Sequence, residues 1–198
     1  MNGKPQLWVF CGPNGAGKST LAKRFLKDRL SNVNPDVVAQ ALPRRPDGSL
    51  AELEAGRIAL KQRRILIAAG ESFAFETTLS GNTELASLRA AHEKGYKVNV
   101  IFVGLQDAER SEARVAERVS LGGHDVPQDA IHRRYKRAML NLAEAAAIAD
   151  RVIIFENSEQ SHRLLLIRED GEVRHHAPFP EWARRWLPAE YQVKEQGT

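Results

Sequence analysis

Residues 12–19 read Gly-Pro-Asn-Gly-Ala-Gly-Lys-Ser, which has the spacing G-x-x-x-x-G-K-[ST]. Ahead of it, Leu7, Trp8, Val9, Phe10 and Cys11 form an unbroken apolar run, which predicts a strand buried on both faces. Behind it, Thr20 to Leu30 carries Leu21, Phe25 and Leu26 at helical spacing. Strand, glycine loop and helix together make a cradle for a phosphate chain. Glycine lets successive N–H groups turn toward one anion, and the helix N-terminus adds partial positive charge. Gly12, Pro13, Asn14, Gly15, Ala16, Gly17, Lys18, Ser19 and Thr20 are therefore the expected nucleotide-binding residues. Lys18 is expected to reach the β- and γ-phosphates, and the Ser19 hydroxyl to hold Mg2+.

The rest of the chain alternates short apolar strands with helical stretches. Ser31 to Asp36 predicts a strand ending in a turn, because Pro35 biases Asn34 toward extended geometry. Residues 42–50, with Pro43, Pro46 and Asp47-Gly48, read as a surface loop. A helix is expected from Leu50 to Ala69 with Leu53, Ile58 (or Arg57), Leu60 and Ile65 among its periodic positions, then a strand over Ser72–Glu76. Helices at 82–93, 108–120 and 128–149 and strands at 97–103, 151–156 and 163–168 follow, with Trp182 and Trp186 on a last short helix. The pattern predicts an α/β fold, a single domain spanning 1–198, with a parallel sheet flanked by helices. Ligands bind such sheets beyond the carboxyl ends of the strands.

With 198 residues, 42% hydrophobic and 27% charged, the chain has the composition of an ordinary globular domain. A net charge of +4, with acids and bases interleaved, suits an anionic ligand without specifying one. Cys11 is the only cysteine, so no internal disulfide forms. Its place on the first strand suggests a small core residue in a reducing compartment. No apolar run reaches the length of a membrane span and no signal-peptide pattern precedes the first strand, so the expected location is cytoplasmic. The six histidines show no metal-ligand spacing.

Asp36, just after the second strand, is a candidate general base for an attacking hydroxyl; a turn or cap aspartate is the competing reading. Glu76 closes an aromatic strand beside Thr77 and Thr78, an edge suited to holding Mg2+ through water or gripping a polar substrate. Arg110, Arg114 and Arg118 recur at i, i+4 and i+8, a repulsive stripe that a facing phosphate chain would relieve and Glu117 can relieve in part. In the helix after it, Ile131, Tyr135, Ala138, Leu142, Ala145 and Ala149 form the apolar stripe. Arg134 flanks that stripe, while Arg133 and Arg137 point away. The linker Leu121 to Pro127, with two glycines and a proline, has the makings of a movable lid over residues 107–137.

Five blocks in order resemble the zeta-toxin-like family of P-loop kinases: G-P-N-G-A-G-K-S-T, N-P-D, F-E-T-T-L-S, E-R-V-S-L-G-G-H-D-V-P and I-H-R-R-Y. The resemblance runs from Leu7 to Phe155. It implies an adenylate-kinase-like fold with an arginine-bearing helical lid. It also implies ATP and Mg2+ as cofactors, the 3′-hydroxyl of a UDP-N-acetylamino sugar as acceptor, and an antitoxin protein as partner. By position, Lys18 and Asp36 match the loop lysine and the catalytic base, Glu76 and Thr78 the substrate-side pair, and Arg118 the first lid arginine. Two positions depart from the pattern. The second lid arginine falls at His124, for which Arg134 is the expected substitute, and an acidic substrate contact falls near Leu60.

The expected activity is ATP-dependent phosphoryl transfer to a hydroxyl of a small molecule. A polynucleotide-end kinase shares the loop and the aspartate, but no basic tract interleaved with aromatics is present for a strand to stack on. A nucleotide-binding regulatory module without transfer chemistry is the third reading.

Overall fold

The computed structural model describes residues 3–27, 29–44, 51–159 and 161–192. Strand β1 (Gln6–Cys11) is an interior strand of the sheet, paired in parallel with β3 (Phe73–Thr77) on one side and β4 (Lys97–Gly104) on the other. Its residues Leu7, Val9, Phe10 and Cys11 are wholly buried, as an apolar run covered on both faces requires. Short β2 (Ser31–Val33) lies outside β3, and β5 (Arg151–Glu156) lies outside β4, both parallel. The full order is β2-β3-β1-β4-β5-β6-β7.

The sheet is not parallel throughout. Strands β6 (Arg163–Glu169) and β7 (Glu172–His175) run antiparallel beside β5, a hairpin that the expected all-parallel sheet lacked. Asp170 and Gly171 join them with φ of 53° and 79°, the positive values of a tight hairpin turn.

Helix α1 (Lys18–Leu26) begins at Gly17 and packs on β1, with Phe25 against the rings of Trp8 and Phe10 at 4.8 and 6.0 Å. The turn expected at Asn34–Asp36 is instead the start of a helix, α2 (Pro35–Ala41). Asn34 is its extended N-cap, Pro35 fills the first helical position, and Asn34 Oδ1 accepts from the Asp36 N–H at 2.9 Å. The expected loop that follows lies mostly outside the described residues.

Helix α3 (Glu52–Ala69) buries Ala55, Ala59, Arg63 and Ile67, an i, i+4 row, and exposes Leu53 and Ile65. Of the expected leucine–isoleucine stripe, Leu53 and Ile65 face solvent and Ile58 and Leu60 are only half-buried. Small alanines let α3 approach closely, and bulk was the misleading signal. Helices α4 (Asn82–Glu93), α5 (Ala108–Ser120) and α6 (Gln128–Ile148) stand where the sequence placed them, and the apolar stripe of α6 is buried along its length. Helix α7 (Glu181–Trp186) inserts Trp182 against Gly104, where a Cβ would lie 2.2 Å from the indole, and Trp182 Nε1 donates to Glu156. Among the described residues no helix is long and apolar enough to cross a membrane.

Gly12 marks where the sheet gives way to the loop. Its φ is +136°, and a Cβ there would lie 2.1 Å from the Val103 carbonyl oxygen, a backbone atom that cannot swing aside. Gly12→Ala is therefore expected to destabilise the fold by about 3 kcal/mol or more, combining a forbidden backbone region with a clash. Thermal unfolding measures it, and a melting temperature within a degree of wild type would contradict it.

Candidate active site

The glycine-rich loop is held from three sides. Gly15 and Gly17 adopt φ of 71° and 86°, which turn the chain around the phosphate position. From α5, Ser111 Oγ donates to Asn14 O at 2.5 Å, and a Cβ on Gly15 would lie 2.8 Å from Arg114 Cβ. From the β5–β6 connection, Asn157 Nδ2 donates to Ala16 O at 2.8 Å and His162 Nε2 donates to Gly17 O at 3.1 Å. Burial pushes the His162 imidazole below its usual range, although the bond to Gly17 opposes that shift. Asn157, His162 and Ser111 were not singled out from the sequence. No local motif marks them, since their role is created by pairings more than 90 residues apart.

Lys18 Nζ donates to Pro13 O at 2.7 Å within the loop. Removal from water pushes its ammonium down to about 8, against the pull of Glu76 and Asp36 and with a smaller push from Arg118. This has a consequence for ligand binding. A polyphosphate pairs with protonated Lys18, so nucleotide affinity should be full below pH 8 and weaken above it. The decline approaches tenfold per pH unit until the bound complex's own lysine titrates. Calorimetric titration with ATP from pH 7 to 9.5 checks this; an affinity flat across that range would contradict it, and Lys18→Met should be both weak and flat.

Glu76 is the hub on the other side. Its side chain is 7% exposed and accepts from Ser19 Oγ at 2.5 Å and from Asn32 and Asn34 Nδ2, each at 3.0 Å. Register puts Glu76 opposite Phe10, one strand from the loop, so strand pairing alone brings this carboxylate to the loop serine. A hydroxyl and a carboxylate meeting here, with amides around them, form a set of hard oxygen donors of the kind Mg2+ takes.

Asp36 lies in the first turn of α2, exposed toward the same cleft. Thr78 Oγ1 bonds Ser80 Oγ at 2.8 Å. The residue between them, Leu79, is fully buried with φ of 58°, a strained value for leucine. Thr77 Oγ1 holds its N–H at 3.0 Å and Asn141 holds its carbonyl at 2.9 Å, which together fix this turn of the cleft wall.

Arginines approach from α5 and α6. Arg118 Nη2 donates to His124 O at 2.6 Å, and its Nε is buried without a partner among the described residues. His124 Nε2 meets Glu52 Oε1 at 2.5 Å, joining the α5–α6 linker to the start of α3. Arg114 Nη2 donates to Ser158 O at 3.2 Å. Arg134 is half-buried on the cleft wall, whereas Arg133 is exposed and pairs with Asp129 at 3.1 Å, and Arg137 is exposed.

One cavity of about 940 Å³ gathers these groups. Lys18, Ser19, Asp36, Glu76, Thr78, Arg118 and Arg134 all line it, along with Gly15, Gly17 and Thr20 of the loop region. Cys11 does not. It is buried beneath the loop, its thiol pushed up to about 12 by burial, and it is chemically inert there.

The family model described as zeta toxin matches residues 1–170. The chain belongs to the zeta toxin family. Its fold is that of a P-loop kinase, a mostly parallel sheet with helices packed against it. A relative at the sequence level is an uncharacterized protein of Haemophilus influenzae, 34% identical over 141 residues, a span covering 67% of this chain and 99% of that one. Among solved structures, the AvrRxo1-ORF1:AvrRxo1-ORF2 complex with sulphate ions superposes with a TM-score of 0.70 at 19% identity, over 92% of this chain and 62% of that one. The same pair solved with ATP gives 0.70 at 20%, over 98% and 66%. This zeta-family chain thus spans less than two thirds of the length of those chains. The PezAT toxin–antitoxin system of Streptococcus pneumoniae gives 0.58 at 18%, over 82% and 72%.

Proposed function

We propose that this zeta-family protein transfers the γ-phosphoryl group of ATP to a hydroxyl of a small molecule. The observation that carries the reading is the single cleft in which the glycine-rich loop, Asp36, Glu76, Thr78, Arg118 and Arg134 all share one space. In the reaction the acceptor oxygen forms a bond to the γ-phosphorus, the bond to the β–γ bridging oxygen breaks, and ADP leaves. Asp36 takes the acceptor's proton. Loop N–H groups and Lys18 hold the phosphate chain, and Arg118 and Arg134 bring positive charge to the transferring group. Ser19 and Glu76 would hold Mg2+, which would supply positive charge to offset that of the phosphate chain.

Thr78 and Asp36 orient the acceptor, and the helical region 107–137 acts as the lid that excludes water over it. The family resemblance makes the 3′-hydroxyl of a UDP-N-acetylamino sugar the first acceptor to try. The PezAT toxin–antitoxin system among the structural neighbours supports a second protein as partner, which the family resemblance makes an antitoxin.

The test is to incubate the protein with Mg2+, ATP and UDP-N-acetylglucosamine, then with a metabolite extract, and to identify products by mass. A product heavier by one phosphoryl group, formed as ADP appears, is expected. Hydrolysis of ATP with no phosphorylated product in either incubation would defeat the proposal.

A further inference from the structure

The acceptor side of the cleft contains a charge that the reading above leaves unused. Arg63 lies in the buried row of α3, only 6% exposed, with Ala59 and Ile67 one turn away on either side. Its guanidinium carbon sits 4.6 Å from the centre of the Phe75 ring. Among the described residues its buried Nε and Nη1 have no hydrogen-bond partner and no carboxylate comes within ion-pair distance. Glu84 is its largest favourable charge and Arg64 a smaller repulsive one; burial pushes the guanidinium below its usual range. The side chain nevertheless lines the cavity shared by Asp36, Thr78 and Glu84.

A buried cation without an anion is costly to keep, so a structure that retains one facing a ligand cavity is organised for an anion that arrives from outside. A planar fork stacked on a ring is restricted to one orientation, which favours two-point capture of phosphate or carboxylate oxygens.

We propose that Arg63 is the specificity-determining anchor for a negatively charged group on the phosphoryl acceptor, so that the acceptor is an anionic hydroxyl compound, a phosphate ester or a carboxylate. The proposal rests on the reading that this side of the cleft holds the acceptor. The anchor stands on the helix where the family resemblance places an acidic contact, so the acceptor's charge is read here by attraction on a wall where an acid would repel it.

The test uses protein saturated with Mg2+ and a non-hydrolysable ATP analogue, so that the loop is filled. Inorganic pyrophosphate, and separately acetate, is titrated in and followed by calorimetry. One further anion site is expected, at least tenfold weaker in R63Q and partly retained in R63K; whichever probe binds more tightly tells phosphate from carboxylate. R63M, which keeps the stem over Phe75 and removes the buried charge, should melt about 2–4 °C higher than wild type. Absence of a further site for either anion, equal affinity in R63Q, or a lower melting temperature in R63M would each overturn the proposal. The binding readout does not require turnover, so anion capture without phosphoryl transfer would defeat the kinase reading and leave the anchor standing.

Discussion

Asp36→Asn is expected to lower phosphoryl transfer by about 10²–10⁴-fold, the range attributed to a positioned base, while ATP affinity stays within a few-fold of wild type. The structure separates this role from the competing one. An aspartate at a helix start is often a cap, but the cap here is Asn34, whose Oδ1 accepts the Asp36 N–H. The Asp36 carboxylate is therefore not needed to start α2, and the amide variant should fold normally. It lines the cleft with Lys18, and its charge acts on that lysine. Single-turnover transfer from labelled ATP, beside a calorimetric titration of ATP, separates chemistry from binding. Transfer near the wild-type rate would remove Asp36 from the mechanism.

Glu76→Gln should have the other large effect, and on two readouts at once. The carboxylate accepts from Ser19, Asn32 and Asn34 in a site almost closed to water. An amide offers one accepting oxygen and turns an NH2 toward donors, which leaves at least one of them unsatisfied. A loss of about 1–3 kcal/mol is expected, or several degrees in melting temperature. If the Ser19–Glu76 pair also holds the metal, transfer per folded molecule falls by about 10²–10³-fold and the Mg2+ concentration needed rises. A lower melting temperature with normal transfer would make Glu76 a scaffold alone.

Much of this site could be read before its geometry was known, because its residues sit at strand ends. The strand–loop–helix unit, Glu76 at the end of β3 and the buried stripe of α6 all follow from local periodicity, and Arg134 was placed beside the cleft by helical geometry alone. Misreadings came where one signal served two structures. Pro35 forces Asn34 to be extended, which suits both a turn and a capped helix, and the helix won because Asn34 can cap it. In α3 the buried face is marked by alanines and an arginine, and the bulky residues outside it misled the stripe. The β6–β7 hairpin had a cue in Asp170-Gly171 that its polar flanks hid. Asn157 and His162 had no cue, since what they touch is the backbone of a distant loop.

Those two side chains also bear on synthesis. The loop is made before its braces, since two of its carbonyls are bound by residues 141 and 145 positions further along the chain. A nascent chain that ends before Asn157 carries every residue of the phosphate motif and lacks two of its braces. The phosphate motif and two of the bonds that shape it are thus acquired at different times in synthesis, and the loop is fully braced only once the chain beyond β5 has been made.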